Sequence, residues 1–100
     1  MTPEQIENTY LEIRQQVKNG EIRRAAGRLE QVLADLGDNK ELDKLDDELM
    51  TLISRFNRLE KERLMGMIED EDAKKEQDGL VNRLSALLKQ VKQLALTMTE

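Results

Sequence analysis

Between residues 42 and 59 the chain places Leu42, Leu45, Leu49, Leu52, Phe56 and Leu59 at intervals alternating between three and four residues. Only an α-helix brings positions at that spacing onto one side. The seam therefore demands a long amphipathic helix and a second apolar surface to cover it. Asp38 and Asn39 supply capping side chains at its start, and the pattern predicts a helix over about residues 40–65, roughly 39 Å long at 1.5 Å per residue. After Gly66-Met67-Ile68, the acidic run Glu69 to Asp72 suits the positive end of another helix. That last helix is expected over about 70–96, with Leu80, Leu84, Leu87, Leu88, Val91, Leu94 and Ala95 making a seam that is densest in its second half.

The preceding third of the chain predicts two shorter helices. Thr2-Pro3-Glu4-Gln5 has the form of a capping box with proline at the first helical position. Ile6, Tyr10, Ile13 and Val17 then share one face, and Asn19-Gly20 stops the helix, giving about 3–18. A second helix over about 21–36 carries Ile22, Ala25, Ala26, Leu29, Val32, Leu33 and Leu36 and ends at Gly37. Gly27 lies inside this helix, where it costs roughly 1 kcal/mol against Ala. A close approach by a neighbouring backbone is the expected reason.

The expected fold is all-α: an antiparallel four-helix bundle-like domain in which a short helical hairpin packs on a longer one. One hundred residues leave room for one core, so residues 1–100 form a single domain. Helices of roughly 24 Å cover only part of a 39 Å partner, so the tip around Gly66 should project or find another partner. Phe56, Leu49, Leu59 and Ile68 are expected to be buried. Arg55 and Asn57 flank Phe56 off the apolar seam and either lock the turn between helices or contact a partner; for Arg55 the favoured role is structural, pairing with a carboxylate of the facing helix.

Composition narrows the function. The chain has no Cys and no His, which removes thiolate and imidazole chemistry and most zinc, haem and di-iron sites. Its net charge of −5 is the wrong sign for neutralising phosphates, and two aromatic residues make no stacking platform for bases. Six carboxylates between Asp38 and Glu48 are interleaved with the apolar seam, so most should face water. The run Glu69 to Asp72 fails the calcium-loop pattern because Lys75 stands where the sixth loop position requires Gly. No catalytic residue, cofactor or metal is expected. Neither a leader-like segment nor a membrane-spanning apolar run is present in the sequence, and the expected location is the cytoplasm.

The remaining candidates are surface groups. Charge alternates along the chain: residues 38–50 sum to −4, 51–67 to +2, 68–78 to −4 and 79–100 to +2. Arg23, Arg24 and Arg28 form one basic cluster; Arg55, Arg58, Lys61 and Arg63 form a second. Each is either a solvated face or a protein-binding surface. Met65 and Met67, flanking Gly66, either pack the turn or offer an adaptable contact.

The segment Leu52-Ile53-Ser54-Arg55-Phe56-Asn57-Arg58-Leu59-Glu60-Lys61-Glu62, followed by Gly66-Met67-Ile68 and an acidic helix start, resembles the effector-associated domains of bacterial conflict systems, most closely the type numbered eleven. Leu87-Leu88, Asn19-Gly20 and Ala25-Ala26 fit the same pattern, so the resemblance covers nearly the whole chain. Two positions depart from it. Ala73 stands where a larger residue is usual, and Gly79 interrupts the last helix.

The resemblance implies a non-enzymatic adaptor that couples an effector, such as a protease, a TIR domain or an NTPase, to a partner by like-with-like association. The partner would be another copy of the same or a related domain, or an attached effector, with no nucleic acid and no membrane. The charge alternation suggests one contact for this role, in which Arg23, Arg24 and Arg28 of one copy meet Asp46, Asp47 and Glu48, or Glu69, Asp70, Glu71 and Asp72, of another. Arg58, Lys61, Met65 and Met67 are further candidate contacts. The competing class is a structural oligomerisation domain in which helices of several chains share one bundle.

Overall fold

Local chemistry fixes where each helix begins and ends. The computed structural model describes residues 1–99, which hold four α-helices: α1 (Pro3–Lys18), α2 (Ile22–Leu36), α3 (Lys40–Leu64) and α4 (Asp70–Met98). At the start of α1, Thr2 Oγ1 accepts from the Gln5 N–H at 3.2 Å, and Gln5 Oε1 accepts from the Thr2 N–H at 2.9 Å. The two bonds satisfy donors that the first turn leaves free. Asn39 caps α3 in the same way, its Oδ1 accepting from the Glu41 N–H at 2.8 Å. At the start of α4, Glu69 makes no capping bond; Asp70, Glu71 and Asp72 in the first turn complement the helix dipole instead.

The turns after α1 and α3 share one geometry. Gly20 and Gly66 both adopt positive φ, and the N–H of the residue after each glycine returns to a carbonyl five residues back: Glu21 to Gln16 and Met67 to Glu62, each at 2.9 Å. This arrangement satisfies carbonyls left over at the helix end, and only glycine enters it without a steric penalty.

The short hairpin α1–α2 packs on the long hairpin α3–α4. Helix α1 contacts α2 and α4 but stands clear of α3, whereas α2 reaches α1, α3 and α4. The cross-section is thus a rhombus with α2 and α4 on its short diagonal, within Cα dimensions of 48 × 25 × 16 Å. The core is an apolar column that includes Ile13, Leu29, Leu49, Leu84, Leu87 and Val91, each no more than 2% exposed. Among the described residues no polar or charged residue is buried. At the end away from the tip, Lys92 Nζ joins α4 to α1, lying 4.4 Å from the Tyr10 ring centroid and 3.3 Å from Glu7 Oε2.

Three expectations about packing are corrected. Phe56 and Ile68 are half-buried at the margin of the core rather than within it. The apolar seam of α3 drifts around the helix because three-and-four spacing averages slightly under 3.6 residues per turn, and Phe56 comes to lie at the open edge between α3 and the start of α2. Gly27 is exposed, and a Cβ built there would meet nothing within 4 Å, so no neighbouring backbone requires it. Gly79 does not break α4, which runs through it without interruption.

Leu84→Ala, in the fully buried column, is expected to reduce unfolding free energy by about 2 to 5 kcal/mol, and Phe56→Ala by a smaller amount, about 1 to 3 kcal/mol, because that side chain lies at the margin of the core and part of it stays in water. Denaturant titration followed by circular dichroism separates the two. In the same measurement Gly27→Ala is expected to stabilise by about 0.4 to 1 kcal/mol, whereas Gly66→Ala is expected to destabilise by about 1 to 2 kcal/mol through its positive φ.

Candidate functional site

With an entirely apolar core, whatever this chain does must be done by its surface. Among the described residues no three carboxylates converge where a cation would sit, and no helix is long and apolar enough to cross a membrane. Three surface regions stand out.

The first is the tip of the long hairpin. Arg23 meets Glu60 of α3 at 2.6 Å, and the α1–α2 turn at Gly20 and Glu21 shares a groove with Arg63 and Gln77, so residues beyond that level project past the short helices. Leu64, Met65 and Met67 are 84%, 62% and 69% exposed there, around the Gly66 turn. Ala73 is fully buried at the base of the tip, and Arg63 Nη1 donates to Gln77 Oε1 at 3.2 Å across the hairpin. Leu64 was not singled out from sequence; its signal is its place one residue before the helix-ending Met65, off the Leu seam. Lys61 and the acidic residues Glu69, Asp70, Glu71 and Asp72 are exposed around this apolar cap.

The second region is the flank between α2 and α3, where the structure redistributes the arginines. Arg23 pairs with Glu60 and also donates to Asn57 Oδ1 at 2.9 Å, bridging α2 to α3. Arg28 reaches the other way, to Glu12 of α1 at 3.4 Å, and Arg24 leans on Glu21 at 3.6 Å. The three arginines therefore point to different neighbours and form no single basic patch. Arg55, expected to pin the hairpin, is exposed and makes no ion pair or side-chain hydrogen bond among the described residues. The bridging role belongs to Arg23. Successive positions on a helix are rotated by 100°, so sequence adjacency decides neither assignment.

That same rotation divides the acidic cluster Asp46, Asp47 and Glu48. Asp46 is half-buried beside Glu30 and Asp43 in a groove against α2, while Asp47 and Glu48 line the opposite side of α3. The second side is the third region: a groove of about 510 Å³ along α3 and α4 that neither α1 nor α2 covers, walled by Asp47, Glu48 and Thr51 on α3 and by Arg83, Ala86 and Gln90 on α4. Leu52 and Leu87 form its floor. Arg58, 82% exposed, lies further along α3 and pairs with Glu62 one turn on, at 3.1 Å. Arg83 was not singled out from sequence, where it appears as an isolated charge; its place in this groove depends on the register of α4 against α3.

Removing an exposed pair changes stability little, because water screens it. Arg23→Ala is expected to lower unfolding free energy by about 0.2 to 1 kcal/mol, and Arg55→Ala to leave it unchanged in the same thermal melts. Equal losses for the two variants would return the bridging role to Arg55.

No curated protein and no solved structure matches the chain. The family model of effector-associated domain 11 matches residues 8–92, from α1 to the last turns of α4 and including the Arg55-Phe56-Asn57 segment, the three positive-φ glycines and the projecting tip. With the match extending over most of its length and all four helices, the chain belongs to the effector-associated domain 11 family.

Proposed function

We propose that this chain is a non-enzymatic adaptor that couples an effector, such as a protease, TIR or NTPase module of a bacterial conflict system, to a partner through association with the same or a related domain in the cytoplasm. Membership of an accessory-domain family carries this reading. Two features of the molecule support it. The apolar column closes within one chain, so a single copy has a core of its own and does not need a second chain to complete it. The surface that remains combines an apolar tip with many charges that make no ion pair among the described residues.

Of the candidate contact residues, Arg23 and Arg28 hold the short hairpin in place, which leaves the other groups for partners. Asp47, Glu48 and Arg58 lie on the uncovered side of α3; Lys61, Met65 and Met67, with Glu69, Asp70, Glu71 and Asp72, lie on the projecting end of the long hairpin. Exposed ion pairs contribute only about 0.2 to 1 kcal/mol each, so an isolated domain should associate weakly and gain from being held in several copies.

Light scattering and sedimentation of the chain alone, and of the chain fused to a trimeric coiled coil, test this reading. A folded monomer at low concentration is expected, with self-association that strengthens on the trimeric scaffold and weakens when salt rises from about 0.05 to 1 M. Loss of helicity on dilution would instead identify a structural oligomerisation domain. Association insensitive to salt would move the contact to Leu64, Met65 and Met67.

A further inference from the structure

Along the uncovered side of α3, Lys44, Glu48, Thr51, Arg55, Arg58 and Glu62 recur at spacings of four and three residues, which places all six on one stripe. That stripe is separate from the side that faces α2, where Asn57 and Glu60 engage Arg23. Turned end for end about the level of residue 53, the stripe is its own electrostatic complement: Lys44 falls opposite Glu62, Glu48 opposite Arg58, and Thr51 opposite Arg55. At 1.5 Å per residue the matched length is about 27 Å. Lys44, Glu48 and Arg55 make no ion pair among the described residues, and Arg58 spends one donor on Glu62 while five are available to it.

Helix α4 supplies the other wall of the groove. Arg83, Ala86 and Gln90 line it at spacings of three and four, and Gly79, four residues before Arg83, lies on the same stripe of α4. A Cβ at Gly79 would meet nothing within 4 Å, so this glycine, like Gly27, has no explanation inside one molecule.

Resting on the proposed adaptor role, we infer that the α3–α4 groove is a homotypic interface: a second copy packs face to face with its α3 antiparallel to the first, about a two-fold axis near residue 53. Such a contact is isologous, so each complementary pair occurs twice and assembly stops at the dimer. This differs from association of a basic patch on one copy with an acidic patch elsewhere on the next, which would leave both ends open and propagate. Larger assemblies would then arise from the effectors that the domains carry.

Sedimentation equilibrium of the 100-residue chain, with helicity checked for every variant, tests the assignment. The unmodified chain is expected to give monomer and dimer and nothing larger. Glu48→Arg and Arg58→Glu should each weaken the dimer at least about tenfold, by setting like charges opposite one another. The doubly substituted chain should regain the original dimer and fail to pair with the unmodified one. Arg58→Gln provides a neutral check should the reversal at Arg58 disturb the fold, and an intermediate loss is expected for it. Dimerisation unaffected by Glu48→Arg, or growth beyond the dimer, overturns this interface and leaves the adaptor role intact. Absence of self-association even on a trimeric scaffold overturns the adaptor role and this interface together.

Discussion

The contact on which the rest of the molecule depends is the leucine seam between α3 and α4. Leu49 and Leu84 have no exposed surface, and Leu52 and Leu87 stand beside them at 5% and 2%. These side chains hold the two longest helices antiparallel with only a five-residue connection between them. Burying a side chain of this size contributes about 1.5 to 3 kcal/mol, so no surface ion pair here competes with the seam. The α1–α2 hairpin is then a cover laid over one side of that seam. Because it is shorter, it leaves one end and one face of the long hairpin free, and those are the regions where candidate functional groups collect.

Much of this was legible in the sequence because the signals concerned are local. Thr2 with Gln5, Asn39, Gly20 and Gly66 act on backbone groups within five residues of themselves, so each could be placed without knowing the fold. The four helices fall within two residues of their expected ends for the same reason. The resemblance carried by the Ser54-Arg55-Phe56-Asn57 segment and the Gly66 turn led to the family that the chain belongs to.

What was not legible depends on rotation about a helix axis. Arg23 and Arg55 are both arginines beside an apolar residue on an amphipathic helix. Which of them meets a carboxylate across the interface is decided by a phase that drifts as the two helices coil. Phe56 shows the same effect: it keeps the spacing of the seam yet reaches the margin of the core. Gly27 misled in the opposite direction, since its stripe is apolar but its own position is just outside the buried arc. The acidic neighbours Asp46, Asp47 and Glu48 share a sign in the sequence and are divided between two faces in space.

The segmented charge has a physical consequence for any association of such domains. Fold energy comes from the seam, and in the proposed association recognition energy would come from exposed groups that contribute little singly and are sensitive to salt. Substitutions on the open face of α3 can therefore change partner preference with almost no effect on folding, because opposed like charges exclude a wrong partner more effectively than matched charges attract the right one. An interface built in this way stays weak for single copies. Holding several copies on one scaffold raises the local concentration toward the millimolar range, which turns a weak contact into a persistent one without adding any new interaction. In the proposed adaptor role, coupling would thus respond to the clustering of whatever the domain is attached to, and a domain with a tight, apolar interface would lose that dependence.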